Sequence, residues 1–337
     1  MRNLAYAFGG PAGKGRIRTE IDDFVVDEQL GFEPTGEGEH VLLRIEKRGE
    51  NSERVAQRLA RHAGVPKVAV GYAGMKDRNA RTTQWFSVQL PGREAPDWRG
   101  IESETVRLLA SCRHNRKLKK GALTGNRFRI MVRGLSAAHE TVLQRLNSVA
   151  EQGVPNYFGP QRFGRDGQNV SKAIGLFQGR RVRDRHQRGL YLSAARSYLF
   201  NHILSERVAL ENWNRALAGD AMMLDGTQRY FKADAVTEAI RNRVEIGDIH
   251  PTGALWGTGD PDVSGAASAL ETGIAARHDV LCRGLEAQGV AMSRRSLRLP
   301  LGHFCWEFPQ EDCLLLTFFL PAGSYATAVL RELIDLD

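Results

Sequence analysis

Stretches with a two-residue apolar repeat alternate along this chain with stretches at helical spacing, and the alternation predicts its elements. Residues 16–30 carry Ile17, Ile21, Phe24, Val25 and Val26 and read as extended. After the turn Gly36-Glu37-Gly38-Glu39, residues 40–46 predict a second strand. Asn51-Ser52 supplies a helix cap, and Val55, Leu59 and Ala63 recur behind it at helical spacing. Residues 68–73 and 85–90 predict two strands joined by a polar connection, and residues 106–112 and 127–132 two more. Residues 136–149 suit a helix. Between Gly153 and Gly164, glycine, proline and aromatic residues crowd together, the mark of a boundary or a specialised loop. Helical stretches follow at 173–177, 193–212 and 233–242. Strands return at 303–308 and 313–320 around a turn at 309–312, and a last helix runs from Tyr325 to about Ile334.

These elements predict an α+β fold, a mixed and mainly antiparallel sheet flanked by helices. Because the last strands and helix come from the C-terminus, the expected main domain is discontinuous, residues 1–151 and 300–337. Residues 152–299 would be an inserted α/β domain. The 337 residues leave room for both.

The formal charge of +8 suggests a polyanionic partner. No apolar run is long enough to cross a bilayer, so no membrane association is expected. The first residues, Met1-Arg2-Asn3-Leu4-Ala5-Tyr6, lack the apolar core of a signal peptide. Cys112, Cys282, Cys305 and Cys313 lack a framework spacing and read as reduced thiols of a cytoplasmic protein. Residues 9–15 resemble a phosphate-binding loop only superficially: Phe8 stands where its first glycine belongs, and Gly15 where its Ser or Thr belongs. No Gly-x-Gly-x-x-Gly follows a strand, and no Gly-x-Ser-x-Gly elbow occurs. His303, Cys305 and Cys313 lack an accompanying Cys-x-x-Cys pair and read as packing residues. The expectation is an activity with no cofactor and no metal.

The segment Ala73-Gly-Met-Lys-Asp-Arg-Asn-Ala-Arg-Thr-Thr-Gln84 holds one acid, Asp77, between Lys76 and Arg78 at a strand-to-strand connection. Taken alone, such an acid is usually a solvated surface residue. Residues 113–121, Arg-His-Asn-Arg-Lys-Leu-Lys-Lys-Gly, contain no acid, and Arg113, Arg116, Lys117, Lys119 and Lys120 suit a phosphate backbone. A second basic stretch holds Arg180, Arg181, Arg183, Arg185 and Arg188. The first run leads into Gly121-Ala-Leu-Thr-Gly-Asn-Arg-Phe128. Alone, Asn126 there reads as a turn residue and Phe24 as core.

The 73–84 segment resembles the signature of the TruD family of tRNA pseudouridine synthases, and 121–128 matches its Gly-Ala-x-x-Gly-Asn-x-Phe segment. The likeness extends from Asp22-Asp23-Phe24-Val25-Val26 to the C-terminal helix. It implies a pseudouridine-synthase core with an inserted domain across a cleft, and Asp77 as the nucleophile. It places Phe24, Asn126 and Tyr325 at the target nucleotide; Tyr325 stands where the family often has Phe. The acid must be ionised, and a neighbouring cation favours that form; Arg18 and Lys76 are the candidates. The implied reaction isomerises a uridine of tRNA, at position 13 of the D arm. Separately from the resemblance, a monomer is expected. A non-catalytic RNA-binding module would explain the basic runs but not the Asp77 segment. A donor-dependent methyltransferase would need a glycine-rich loop that is absent.

Overall fold

The computed structural model describes residues 4–119 and 121–336, which fold into two compact units. One comprises Gly13–Ala137, Leu301–Gly323 and Leu336–Asp337; the other Met1–Ala12, Ala138–Pro300 and Ser324–Asp335. By packing, the final helix therefore goes with the middle of the chain. The layout of 1–151 with 300–337 around an insertion of 152–299 is a partition of a different kind.

The first unit is built on one sheet. Its strands run in the order Gly302–Gln310, Cys313–Pro321, Leu123–Arg133, Phe24–Leu30, Arg81–Gln89, His40–Arg48 and Val106–His114; Val70–Tyr72 pairs separately with Arg81–Gln89. The sheet is mixed: Phe24–Leu30 runs parallel to Arg81–Gln89, and the other pairings are antiparallel. Register decides what shares a face. Phe24 lies opposite Ile130, Val26 opposite Phe128 and Glu28 opposite Asn126. Val26 and Lys47 both align with Thr82.

The helix Ser52–Ala63 lies on Val41, Leu43, Ile45, Phe86 and Val88 through Val55, Ala56, Leu59 and Ala63. Each large aliphatic side chain buried this way stabilises by about 1.5–3 kcal/mol. Asn51 Oδ1 accepts from the Glu53 amide at 2.9 Å, and Gly64, at φ 61°, closes the helix in the left-handed conformation.

The extension expected from residue 16 is interrupted by a 3₁₀ turn, Ile21–Asp23, before Phe24–Leu30 begins. The turn is locked because the buried Asp23 carboxylate accepts from Arg133 Nη2 at 2.7 Å and Nε at 3.0 Å. Likewise the strand expected over 68–73 is only Val70–Tyr72: Pro66 starts a turn over Lys67–Ala69, and Val68 is exposed.

The second unit centres on the long helix Arg185–Ala209, whose Phe200 and Leu204 pack with Tyr157, Phe158, Phe163 and Trp213. A four-stranded antiparallel sheet runs in the order Tyr230–Ala233, Asp220–Leu224, Ile249–Leu255 and Ser293–Ser296. The helical stretch expected at 233–242 is divided between the strand Tyr230–Ala233 and the helix Glu238–Glu245. Thr237 Oγ1 accepts from the Ile240 amide at 3.3 Å and starts the helix there. Among the described residues, no helix is long and apolar enough to cross a membrane.

Candidate active site

Asp77 lies in the connection between Val70–Tyr72 and Arg81–Gln89, and its backbone surroundings are pinned from three directions. Gln84 Nε2 donates to the Gly74 carbonyl at 2.5 Å. The Lys76 amide donates to Ser52 Oγ at 3.1 Å, and Ser52 in turn donates to Gln84 Oε1 at 2.7 Å. Lys47 Nζ donates to the Asp77 carbonyl at 3.1 Å and to the Glu50 carbonyl at 2.7 Å. The loop thus rests on side chains of the sheet and of the helix Ser52–Ala63, and the Asp77 side chain projects 48% exposed.

Its partner is Arg18, whose Nη2 donates to Asp77 Oδ2 at 2.6 Å. Arg18 takes φ 61°, the left-handed region that a non-glycine residue occupies at a cost and that collects at functional sites. Reciprocal backbone bonds between Arg16 and Arg133, at 2.9 and 2.8 Å, hold the chain just before it. The Arg18 guanidinium lies 4.2 Å from the centroid of the Phe24 ring. Phe24 is buried and meets Phe128 edge-on at 6.2 Å. Asp77, 59 residues away from Arg18 in sequence, is therefore brought together with Arg18 and its near neighbour Phe24.

Lys76, the other candidate partner of the acid, turns to Glu28 instead. Glu28 is 1% exposed. Burial pushes its carboxyl upward, opposed by Lys76, and its Oε2 also accepts the Trp85 amide at 2.9 Å. A carboxylate this deep needs a cation, and Lys76 is the one the loop supplies. Asn126 sits opposite Glu28 on the neighbouring strand, and its Oδ1 is buried with no hydrogen-bond partner among the described residues.

Lys47 was not singled out by sequence reasoning. In the sequence it is one cation among the Lys and Arg of a strand, and only its 0% exposure marks it. Desolvation pushes its ammonium down from the ordinary 10.5 to about 8, although the Asp77 charge favours the protonated form.

Tyr325 belongs to the second unit and is the N-cap residue of the helix Ala326–Leu333. Its hydroxyl accepts from Arg162 Nε at 2.9 Å, and its ring meets Phe158 at 5.9 Å. Both partners come from the Gly153–Gly164 segment. If the ring carries Tyr325's role, Tyr325→Phe should keep turnover within a few-fold, because Arg162 retains its bond to Ser193 Oγ at 3.0 Å. Tyr325→Leu should lose the 1–3 kcal/mol or so of a base–aromatic stack. Turnover and thermal melting of both variants check this; a crippled Phe variant would transfer the role to the hydroxyl.

The first basic run divides. Arg113 Nη2 donates to the Arg93 carbonyl at 2.8 Å, and Lys117 Nζ donates to the Val68 carbonyl. Leu118 is buried and its amide donates to Ser87 Oγ at 2.9 Å. Arg116 and Lys119 are exposed, and Lys120 lies outside the described residues. The double substitution Arg116→Gln with Lys119→Gln should flatten the log–log salt dependence of RNA binding, at unchanged thermal stability. The slope should fall by about 0.7–0.9 for each phosphate that is no longer neutralised. An unchanged slope would make the run a solvated surface. Arg180, Arg181, Arg183, Arg185 and Arg188 are also exposed. His303, Cys305 and Cys313 do not converge: Cys305 pairs with Thr317 in mid-hairpin, while Cys313 lies at the turn beside Gln310 and Asp312. No group of three potential metal ligands occurs among the described residues.

The model of one protein family, described as tRNA pseudouridine synthase D (TruD), matches residues 2–180 and 178–333. A protein named tRNA pseudouridine synthase D from Methylococcus capsulatus is 53% identical over 336 residues, 99% of this chain and 95% of that one. Proteins of the same name from Nitrosococcus oceani and Aeromonas salmonicida are 47% and 46% identical, each over at least 98% of this chain and 93% of their own. A crystal structure from Methanosarcina mazei, of a protein provisionally named tRNA pseudouridine synthase D, superposes with a TM-score of 0.77 at 22% identity. It covers 98% of this chain and 95% of its own, and shares the fold.

Proposed function

The chain belongs to the tRNA pseudouridine synthase D (TruD) family, and from this we infer that it isomerises uridine to pseudouridine in tRNA, with Asp77 as nucleophile. The target proposed is uridine 13 of the D arm. The observation that carries the assignment of Asp77 is its carboxylate held at 2.6 Å by Arg18 on a loop pinned through Gly74, Lys76 and the Asp77 carbonyl. A nucleophile needs to be presented and rigid, and both are met here.

In the proposed reaction a uridine leaves the RNA stack and enters the site. Asp77 attacks either C1′ of the ribose or C6 of the base, and the N1–C1′ bond breaks. The base turns, C5 bonds to C1′, the bond to Asp77 breaks to return the carboxylate, the C5 hydrogen leaves as a proton and N1 takes one up, so that atoms and electrons balance without a co-reactant. Arg18 offers the attacking carboxylate a charge-assisted hydrogen bond and orients it against the Phe24 side of the site. Asn126 is proposed to meet the base edge. Its unpartnered Oδ1 supports this, since an unmet buried acceptor costs about 1–3 kcal/mol unless a ligand donor satisfies it. Phe24 would form an apolar wall and Tyr325 a stacking face.

The proposed catalytic domain is 1–151 with 300–337, and 152–299 is the proposed insertion. The protein is proposed to act in the cytoplasm, as a monomer without a metal. Incubating the pure protein with transcript tRNAs and mapping pseudouridine tests the reading, alongside tritium release from 5-tritiated uridine. Pseudouridine at position 13 is expected. Binding of tRNA without isomerisation would instead support a non-catalytic RNA-binding module.

A further inference from the structure

Arg162 is held in the second unit as a ligand-binding guanidinium would be. Its Nε donates to Tyr325 Oη at 2.9 Å and its Nη1 to Ser193 Oγ at 3.0 Å. The guanidinium carbon lies 5.4 Å from the Phe158 centroid and 6.0 Å from that of Tyr325. The support is rigid: Asn201 accepts from the Phe158 amide at 2.9 Å and donates to its carbonyl at 3.0 Å. Gly159 permits the close approach, because a Cβ there would stand 2.5 Å from Thr327 Oγ1 and 2.9 Å from the Tyr325 ring.

The charge of this arrangement points to an anion. A second guanidinium, that of Arg295, stacks on Phe158 at 4.2 Å. Burial holds Arg295 down at about 10, and the positive charge of Arg162 adds to that effect. Arg162 directs its Nε and Nη1 to neutral hydroxyl oxygens, and Nη2 takes no part in those bonds. Half-buried cations favour an anionic complement, and a fixed guanidinium fork fits phosphate oxygens.

We propose that Arg162 is an RNA-backbone contact, binding a phosphodiester beside the uridine on which Tyr325 stacks. This rests on the role proposed above for Tyr325. Full-length protein and a tRNA transcript carrying a single methylphosphonate, moved one linkage at a time around the target uridine, test it by equilibrium binding. One linkage near the target should weaken wild-type binding about tenfold, the scale of one charge-assisted hydrogen bond. Arg162→Gln should weaken binding to the unmodified RNA similarly and become insensitive to that same linkage. Tyr325→Phe, which keeps the cation, should retain the sensitivity. If no linkage near the target matters to the wild type, the proposal is overturned whether or not the variant folds. An Arg162→Gln protein still sensitive to the linkage would also overturn it and leave Arg162 as a positioning residue for Tyr325. Pseudouridine formation is read separately, so a binder that does not isomerise counts against the proposed function and not against this contact.

Discussion

Asp77→Asn is expected to abolish isomerisation, by at least about 10⁴-fold, the scale on which an enzyme loses its nucleophile. The substitution keeps the size of the side chain and one oxygen that Arg18 can still meet. The backbone bonds from Gln84, Ser52 and Lys47 do not involve the carboxylate, so the loop should stay in place. The acid is half exposed, and exposed ion pairs contribute only about 0.2–1 kcal/mol. Thermal stability and tRNA affinity should therefore stay near those of the wild type. A single-turnover assay with a tRNA transcript, run beside a binding titration, separates chemistry from binding. Turnover close to the wild-type rate would remove Asp77 from the reaction.

The second large effect is expected at Lys47. Lys47→Met should lower kcat by about 10²-fold, the scale of a small misplacement of a reacting group, with KM little changed. The methionine fills the space but leaves the Asp77 and Glu50 carbonyls without their donor. The pH dependence distinguishes this from a general loss of fold. The folded ammonium titrates near 8 and the unfolded one near 10.5. Between those values the unfolded chain binds more protons, so this group makes folding stability rise with pH. Over the same window the loop loses its charged donor; the neutral amine keeps two N–H groups but makes weaker bonds. Wild-type turnover should fall several-fold above pH 8 without a matching loss of thermal stability, and Lys47→Met should lack that limb. An identical alkaline limb in the variant would place its origin elsewhere.

Much of the fold was legible because its signals are local. Alternation of side chains predicted a strand over 40–46, found as His40–Arg48, and the Asn51 cap with its apolar repeat predicted Ser52–Ala63. Residues 233–242 read as helical throughout because their composition outweighs two signals, the Thr237 cap and the pairing of Tyr230–Ala233 with Asp220–Leu224. The segment 153–164 was visible as unusual, but nothing local showed that Phe158 and Arg162 would meet Tyr325, since that contact closes over 163 residues of chain.

The same division holds in the candidate site. By itself the sequence determined that one acid stands between two cations at a strand connection, because that follows from composition and spacing along a few residues. It also determined the family, through motifs that span the chain. Only the tertiary structure decided which cation serves the acid. Adjacent Lys76 is drawn to Glu28, since a buried carboxylate demands a charge more strongly than an exposed one. Arg18, 59 residues away, reaches Asp77, and Lys47 lies beneath the loop. Those pairings depend on which strands lie side by side and in what register, and register is settled by burial across the whole sheet and not by neighbours in sequence.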